Sequence, residues 1–244
     1  MSDNTIPEYL QPALAQLEKA RAAHLENARL MDETVTAIER AEQEKNALAQ
    51  ADGNDADDWR TAFRAAGGVL SDELKQRHIE RVAHRELVQE YDNLAVVLNF
   101  ERERLKGACD STATAYRKAH HHLLSLYAEH ELEHALNETC DALVRAMHLS
   151  ILVQENPLAN TTGHQGYVAP EKAVMQQVKS SLEQKIKQMQ ISLTGEPVLR
   201  LTGLSAATLP HMDYEVAGTP AQRKVWQDKI DQQGAELKAR GLLS

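Results

Sequence analysis

One pattern in the sequence has an obvious reaction behind it: His130-Glu131-Leu132-Glu133-His134 fits H-E-x-x-H. Two histidines at i and i+4 of a helix share a face and can grip zinc, while the glutamate between them activates a zinc-bound water. A catalytic zinc needs a third protein ligand, and none stands out; Glu138 shares the face of His134 but without a recognised zincin spacing. Glu133 also puts a charge at an inner position where such enzymes carry a small or apolar side chain. With 11 histidines and 36 acids in the chain, ordinary helix-surface polarity explains the match better. Metal binding through His130, Glu131 and His134 stays a weak alternative, and a zinc metalloprotease a remote one. His120-His121-His122 fares no better as a chelate, because consecutive helical residues point in different directions. No glycine-rich phosphate loop, nucleophile elbow, zinc cysteine quartet or dinucleotide fingerprint occurs. The expectation is a protein that is not an enzyme, with no catalytic residues and no cofactor.

The elements that would position these side chains read as long helices. Apolar types make up 42% of the chain and aromatics 4%, with few glycines and prolines, so the residues that punctuate and fill all-β domains are scarce. Residues 1–50 form a long N-terminal helix from about Pro12, with Leu10, Leu14, Leu17, Arg21, His24, Ala28, Met31, Val35 and Ile38 at steps mainly of three and four. A helix of about forty residues would run about 60 Å, so an elongated fold of long-helix hairpins or a bundle is expected, with a stripe like a coiled-coil seam. Residues 51–70 read as an interruption at Ala51–Asp55, a short helix bearing Trp59 and Phe63, and a glycine-bounded linker closed by Gly67-Gly68.

Residues 71–156 start at Ser71 as N-cap and form a long helical hairpin or one bent helix. The turn or bend is placed near Gly107 to Ser111, where the apolar stripe thins and small polar residues weaken a helix. Residues 157–193 are a loop and then a helix opened by Pro170 and carried through Leu193. Residues 194–244 make an extended arm and a C-terminal helix. Val198–Thr202 and Met212–Val216 read as short strands, so a short extended or β arm near residues 198–218 is the exception in an all-α or nearly all-α fold. Thr219, Pro220 and Gln222 spell a capping box at the last helix. Large aromatics and poorly self-sufficient segments are common anchors between chains. The helix with Trp59 and Phe63 reads as a plug docked over the long helices or as a movable arm, and Trp226 as a lid on the core or an interface anchor; the candidate protein-interface residues are Trp59, Phe63, Leu199, Leu201, Tyr214, Val225, Trp226 and Ile230.

Charge and cysteine usage narrow the class. Lys and Arg number 27 against 36 Asp and Glu, a net charge of −9, which argues against a non-specific nucleic-acid coat; no direct nucleic-acid partner is expected. Around residues 171–190 the bases Lys172, Lys179, Lys185 and Lys187 outnumber Glu171 and Glu183, a local basic face on an acidic chain. No apolar run approaches the roughly 18 residues of a membrane span, and the N-terminus lacks a signal-peptide pattern, so a cytoplasmic protein with no membrane partner is expected. Cys109 and Cys140 read as two reduced thiols without a disulfide framework.

Three stretches carry a resemblance across the chain: the opening MSDNTIPEYLQPALAQLEKARAAHLENARLMDE, the central EYDNLAVVLNFERERLKGACDSTATAYRKAHHHLLSLYAEHELEHALNE and the tail YEVAGTPAQRKVWQDKIDQQGAELKARGLLS. Together they resemble the capsid size-determination (Sid) proteins of satellite coliphages. The resemblance implies an external scaffolding protein that assembles on the outside of a helper-phage procapsid and holds the major capsid protein in a smaller icosahedral shell. It implies two partners, the major capsid protein of the helper phage and further copies of the chain in a symmetric outer lattice. It also implies a place in the host cytoplasm on the exterior of procapsids, and absence from the mature virion. From the residues alone, a helical adaptor or regulatory protein binding a single host or phage protein is the alternative.

Overall fold

The computed structural model describes residues 6–155, 168–193 and 195–243, with residues 52–57 described by their backbone. After a short 3-10 turn at Glu8–Leu10 come α1 (Gln11–Ala65), α2 (Asp72–Thr139), α3 (Asp141–Gln154), α4 (Pro170–Gln188), α5 (Pro197–Thr202) and α6 (Pro220–Ala239). Among the described residues the regular structure is entirely helical. Two expected breaks are absent. α1 runs through Ala51–Asp55 for 55 residues, so Trp59 and Phe63 belong to its last turns and not to a separate helix. α2 runs through Gly107–Ser111 for 68 residues, and the helix break falls at Cys140 instead. Two further corrections concern α4 and α5. α4 ends at Gln188, short of Leu193, where Met189 turns extended. Val198–Thr202, expected as a strand, forms α5, with Pro197 at its first position and Gly203 closing it at φ 73°. The loop expected before Pro170 lies mostly outside the described residues.

The chain divides into two compact units, Met1–Leu17 with Arg117–Ala207, and Glu18–Tyr116 with Thr208–Ser244. In the second unit, α1 buries His24, Ala28, Met31, Ile38 and Ala41, and α2 buries Leu105, Cys109, Ala113 and Tyr116. These sit at helical steps of three, four and seven, and the small residues among them, Ala28, Ala41, Cys109 and Ala113, let helices approach closely. Met31, Leu105 and Cys109 make the core cluster, joined by Leu30, Val35 and Tyr214. Arg21, placed on the stripe by spacing alone, points to solvent.

The corner between α1 and α2 is closed by backbone geometry. Gly67 and Gly68 take φ of 63° and 82°, and the Gly68 amide donates to the Phe63 carbonyl at 3.1 Å, a Schellman-type helix end that needs glycine. Ser71 accepts from the Leu74 amide at 3.2 Å and starts α2 as its N-cap.

α6 starts on the expected capping box, with the Gln222 amide donating to Thr219 Oγ1 at 3.2 Å and the Thr219 amide donating to Gln222 Oε1 at 3.1 Å. It lies antiparallel on α2, since the pairings run in opposite senses: Asp110 with Arg223 at 2.9 Å, Gly107 with Trp226, and Phe100 with Gly234. A Cβ on Gly107 would fall 1.9 Å from Trp226 Cη2, and one on Gly234 would fall 3.2 Å from Phe100 Cζ. Each helix therefore offers a notch to a ring of the other, and Ile230 and Leu237 are buried along α6.

The first unit is held by fewer large side chains. Leu10 is buried in the 3-10 turn, Ala13 and Leu17 on α1, Ala119, His120 and Leu123 on α2, and Val198 on α5. α3 packs against α4. His120 Nε2 donates to the Thr202 carbonyl at 3.1 Å, which secures the end of α5.

Candidate functional site

The H-E-x-x-H segment lies on an exposed stretch of α2. His130 stacks on Tyr9 with ring centroids 3.9 Å apart, and His134 lies 3.3 Å from Glu138 in an i, i+4 contact. The two imidazoles stand 6.4 Å apart, and among the described residues no group of three His, Cys, Asp or Glu side chains gathers as a metal would require. The motif thus does what polar residues on a helix surface usually do. The triple histidine divides in the same way: His120 is buried against α5, and His121 and His122 face solvent. Cys109 and Cys140 are both free thiols, and burial followed by the nearby charge of Asp32 pushes the Cys109 thiol up.

Beside the motif, Tyr127 donates its hydroxyl to Glu196 at 2.5 Å. Its pKa is raised well above the ordinary 10.0, first by burial, then by the hydrogen bond to Glu196 and the charges of Glu196 and Glu131. A folded-state pKa raised in this way leaves stability unaffected below the unfolded value and removes it as pH climbs past that value. The first unit should therefore lose stability as pH rises from about 10 toward 11. Unfolding followed by circular dichroism over that window should give a shallower loss for Tyr127→Phe than for the natural chain.

Five of the expected interface residues are held inside the second unit. Trp59 donates its indole N–H to the Leu74 carbonyl at 3.0 Å, stacks on Phe63 at 5.2 Å, and carries the Arg81 guanidinium 5.2 Å above its ring. Trp226 fills the notch at Gly107, and Ile230 is buried beside it. Tyr214 packs against the core cluster and stacks on His211 with centroids 5.5 Å apart. Leu199 is half-buried, and Leu201 and Val225 are exposed at 59% and 69%.

Sequence reasoning missed the residues that hold the segment from Thr208 to Thr219 in place. His24 is 0% exposed; its Nε2 donates to the Pro210 carbonyl at 2.8 Å, and its Nδ1 lies within hydrogen-bond distance of the Thr112 hydroxyl, 3.0 Å away. His211 lies 2.7 Å from Asp32 and adopts a left-handed φ of 58°, an uncommon backbone setting for a non-glycine residue. Met212 is buried, and its sulfur accepts from the Leu209 amide at 3.0 Å. The only sequence signal was a histidine inside an apolar stripe.

What remains unsatisfied is apolar helix surface. Val69, Leu70, Ile79 and Leu87 are exposed near the start of α2, and Leu132 and Leu136 near its end. The α3–α4 hairpin exposes Val144, Leu152 and Val153 on one helix and Met175, Leu182 and Ile186 on the other. Exposed apolar helix faces of this kind are candidate surfaces for contact with another macromolecule. No described helix is long and apolar enough to cross a membrane.

Comparison with known proteins agrees with that reading. No family model matches the chain. A protein of Enterobacteria phage P4 described as glycoprotein 3 is 99% identical over 244 residues, covering 100% of both chains. A solved structure described as the satellite phage P4 procapsid including size determination (Sid) protein contains a chain of 99% identity; the match covers 96% of this chain and 100% of that one, with a TM-score of 0.79.

Proposed function

Because the chain belongs to the family of the procapsid size-determination (Sid) proteins, we propose that it acts as an external scaffold on the procapsid of a helper phage. It constrains the major capsid protein to a smaller icosahedral shell, and its working surface is its helices. The observation that carries this reading is the 99% identity, across the whole matched chain, to a protein solved within a procapsid. Its partners are the major capsid protein and further copies of itself, arranged as a symmetric lattice on the outside of the procapsid in the host cytoplasm. The mature virion lacks it.

The exposed apolar helix faces support this role physically. Each contact can be weak, because contacts repeated around a closed lattice act together through effective concentration. The net charge of −9 keeps free chains apart before assembly. Leu201 and Val225, which keep their apolar surface in solvent, serve as contacts to other chains. Trp59, Phe63, Tyr214, Trp226 and Ile230 act indirectly by fixing the helices that carry those surfaces.

The test is electron microscopy of the helper capsid protein assembled with and without this chain. Smaller shells bearing an outer layer are expected only when the chain is present. Shells of unchanged size would overturn the scaffold reading.

A further inference from the structure

Residues 208–219 hold no helix or strand, and Met212 is the one buried residue among them. A few identifiable pins join them to the rest of the second unit. His24 donates to the Pro210 carbonyl at 2.8 Å, His211 meets Asp32 at 2.7 Å, and Tyr214 packs against the cluster of Met31, Leu105 and Cys109. The turn at their centre is strained as well. His211 holds φ at 58°, a setting that a residue with a Cβ keeps only where its surroundings impose it. The Cys109 thiol is 0% exposed, and Tyr214 is part of what covers its cluster.

The helices around this segment are fixed by other means. α6 is seated on α2 by Trp226 at Gly107, by Phe100 against Gly234 and by the Arg223–Asp110 pair. The Lys45–Asp92 pair joins α1 to α2, and the Gly67-Gly68 corner closes their ends. None of these contacts passes through residues 208–219, so the segment can lift away without undoing them.

We propose that residues 208–219 are a strap that opens as a unit while α1, α2 and α6 stay folded, and that this opening, not global unfolding, brings Cys109 to solvent. Opening gives up one hydrogen bond to a carbonyl, the His211–Asp32 contact and the packing of Met212 and Tyr214, a small part of what holds the unit together. It also releases the left-handed turn at His211, which offsets part of that loss. Irregular segments with few buried contacts are the ones that open at a free energy below the global one. The strap thus makes Cys109 a thiol that is closed in the resting fold and reachable by a local motion.

Thiol labelling tests this in the full chain carrying Cys140→Ser, which leaves Cys109 as the single thiol. With Ellman's reagent in excess, labelling at low urea is expected to run at a rate nearly independent of urea. It should join the steep urea dependence of global unfolding, followed by circular dichroism, only near the unfolding transition. Adding His211→Ala is expected to speed labelling at low urea about tenfold, through loss of the Asp32 contact and of the ring stacked on Tyr214. Hydrogen exchange across α6 should stay as in the parent chain. Labelling that follows the full urea dependence of global unfolding from the start would overturn the proposal. So would a labelling rate unchanged by His211→Ala, or α6 amides that exchange in step with those of residues 208–216. Should His211→Ala fail to fold, the urea dependence of labelling in the parent chain decides by itself.

Discussion

A Gly107→Ala chain should unfold more easily than the natural one by about 1–3 kcal/mol, because the added methyl has nowhere to go. Its Cβ would lie 1.9 Å from Trp226 Cη2 and 2.5 Å from Cζ3, well inside van der Waals contact. Helix propensity acts in the opposite direction, since alanine is better than glycine by about 1 kcal/mol in a helix interior. The clash should win, because the indole is backed by Ile230, buried along the same helix, and by the Asp110–Arg223 pair one turn away. Thermal unfolding gives the magnitude, and hydrogen exchange should place the loss in α6. The diagnostic variant is the double change with Trp226→Ala. Once the ring is gone, Gly107→Ala should become neutral or stabilising, a coupling that only direct contact produces. A Gly107→Ala chain as stable as the natural one would mean that Trp226 does not seat there.

The second large effect belongs to His24. His24→Ala is expected to cost about 2–4 kcal/mol, combining a cavity beneath fully buried side chains with two lost hydrogen bonds. Restoring volume without polarity should recover only part of this. His24→Leu fills the space but leaves the Pro210 carbonyl unpaired, a penalty of about 1–3 kcal/mol for a buried acceptor. Hydrogen exchange in residues 208–216 should quicken in both variants, more than in α1 itself. Equal exchange in the natural and His24→Ala chains would show that His24 does not tether that segment.

The helical class and several local signals were legible in the sequence because they are local. The capping box at Thr219, the N-cap at Ser71 and the paired glycines after Phe63 each depend on a few neighbouring residues, and each forms as read. The break expected at Gly107–Ser111 is absent for a reason that lies in the packing. Small and polar residues do weaken an isolated helix, but at Gly107 they mark the place where other helices come closest. Gly107 admits Trp226, Asp110 holds Arg223, and Thr112 meets His24. The thinning of the apolar stripe recorded dense packing by small side chains. Val198–Thr202 looked like a strand because alternation over five residues does not separate a strand from a short helix, and Pro197 at the first helical position settles the matter.

The site was legible unevenly. The long apolar stripes pointed to protein contact, yet the large aromatics chosen as anchors mostly face inward, because a chain with so few rings uses them where notches and corners need filling. The exposed aliphatic side chains of α3 and α4 gave a stronger surface signal, which periodicity alone could not separate from an internal seam.

The paired notches between α2 and α6 have a mechanical consequence. With Trp226 lodged at Gly107 and Phe100 against Gly234, α6 is registered at two points along α2. Sliding it by one helical turn of about 5.4 Å would drive both rings into side chains, so no neighbouring seat exists. α6 and the stretch of α2 beneath it therefore keep one register, and a load on either helix is carried by both.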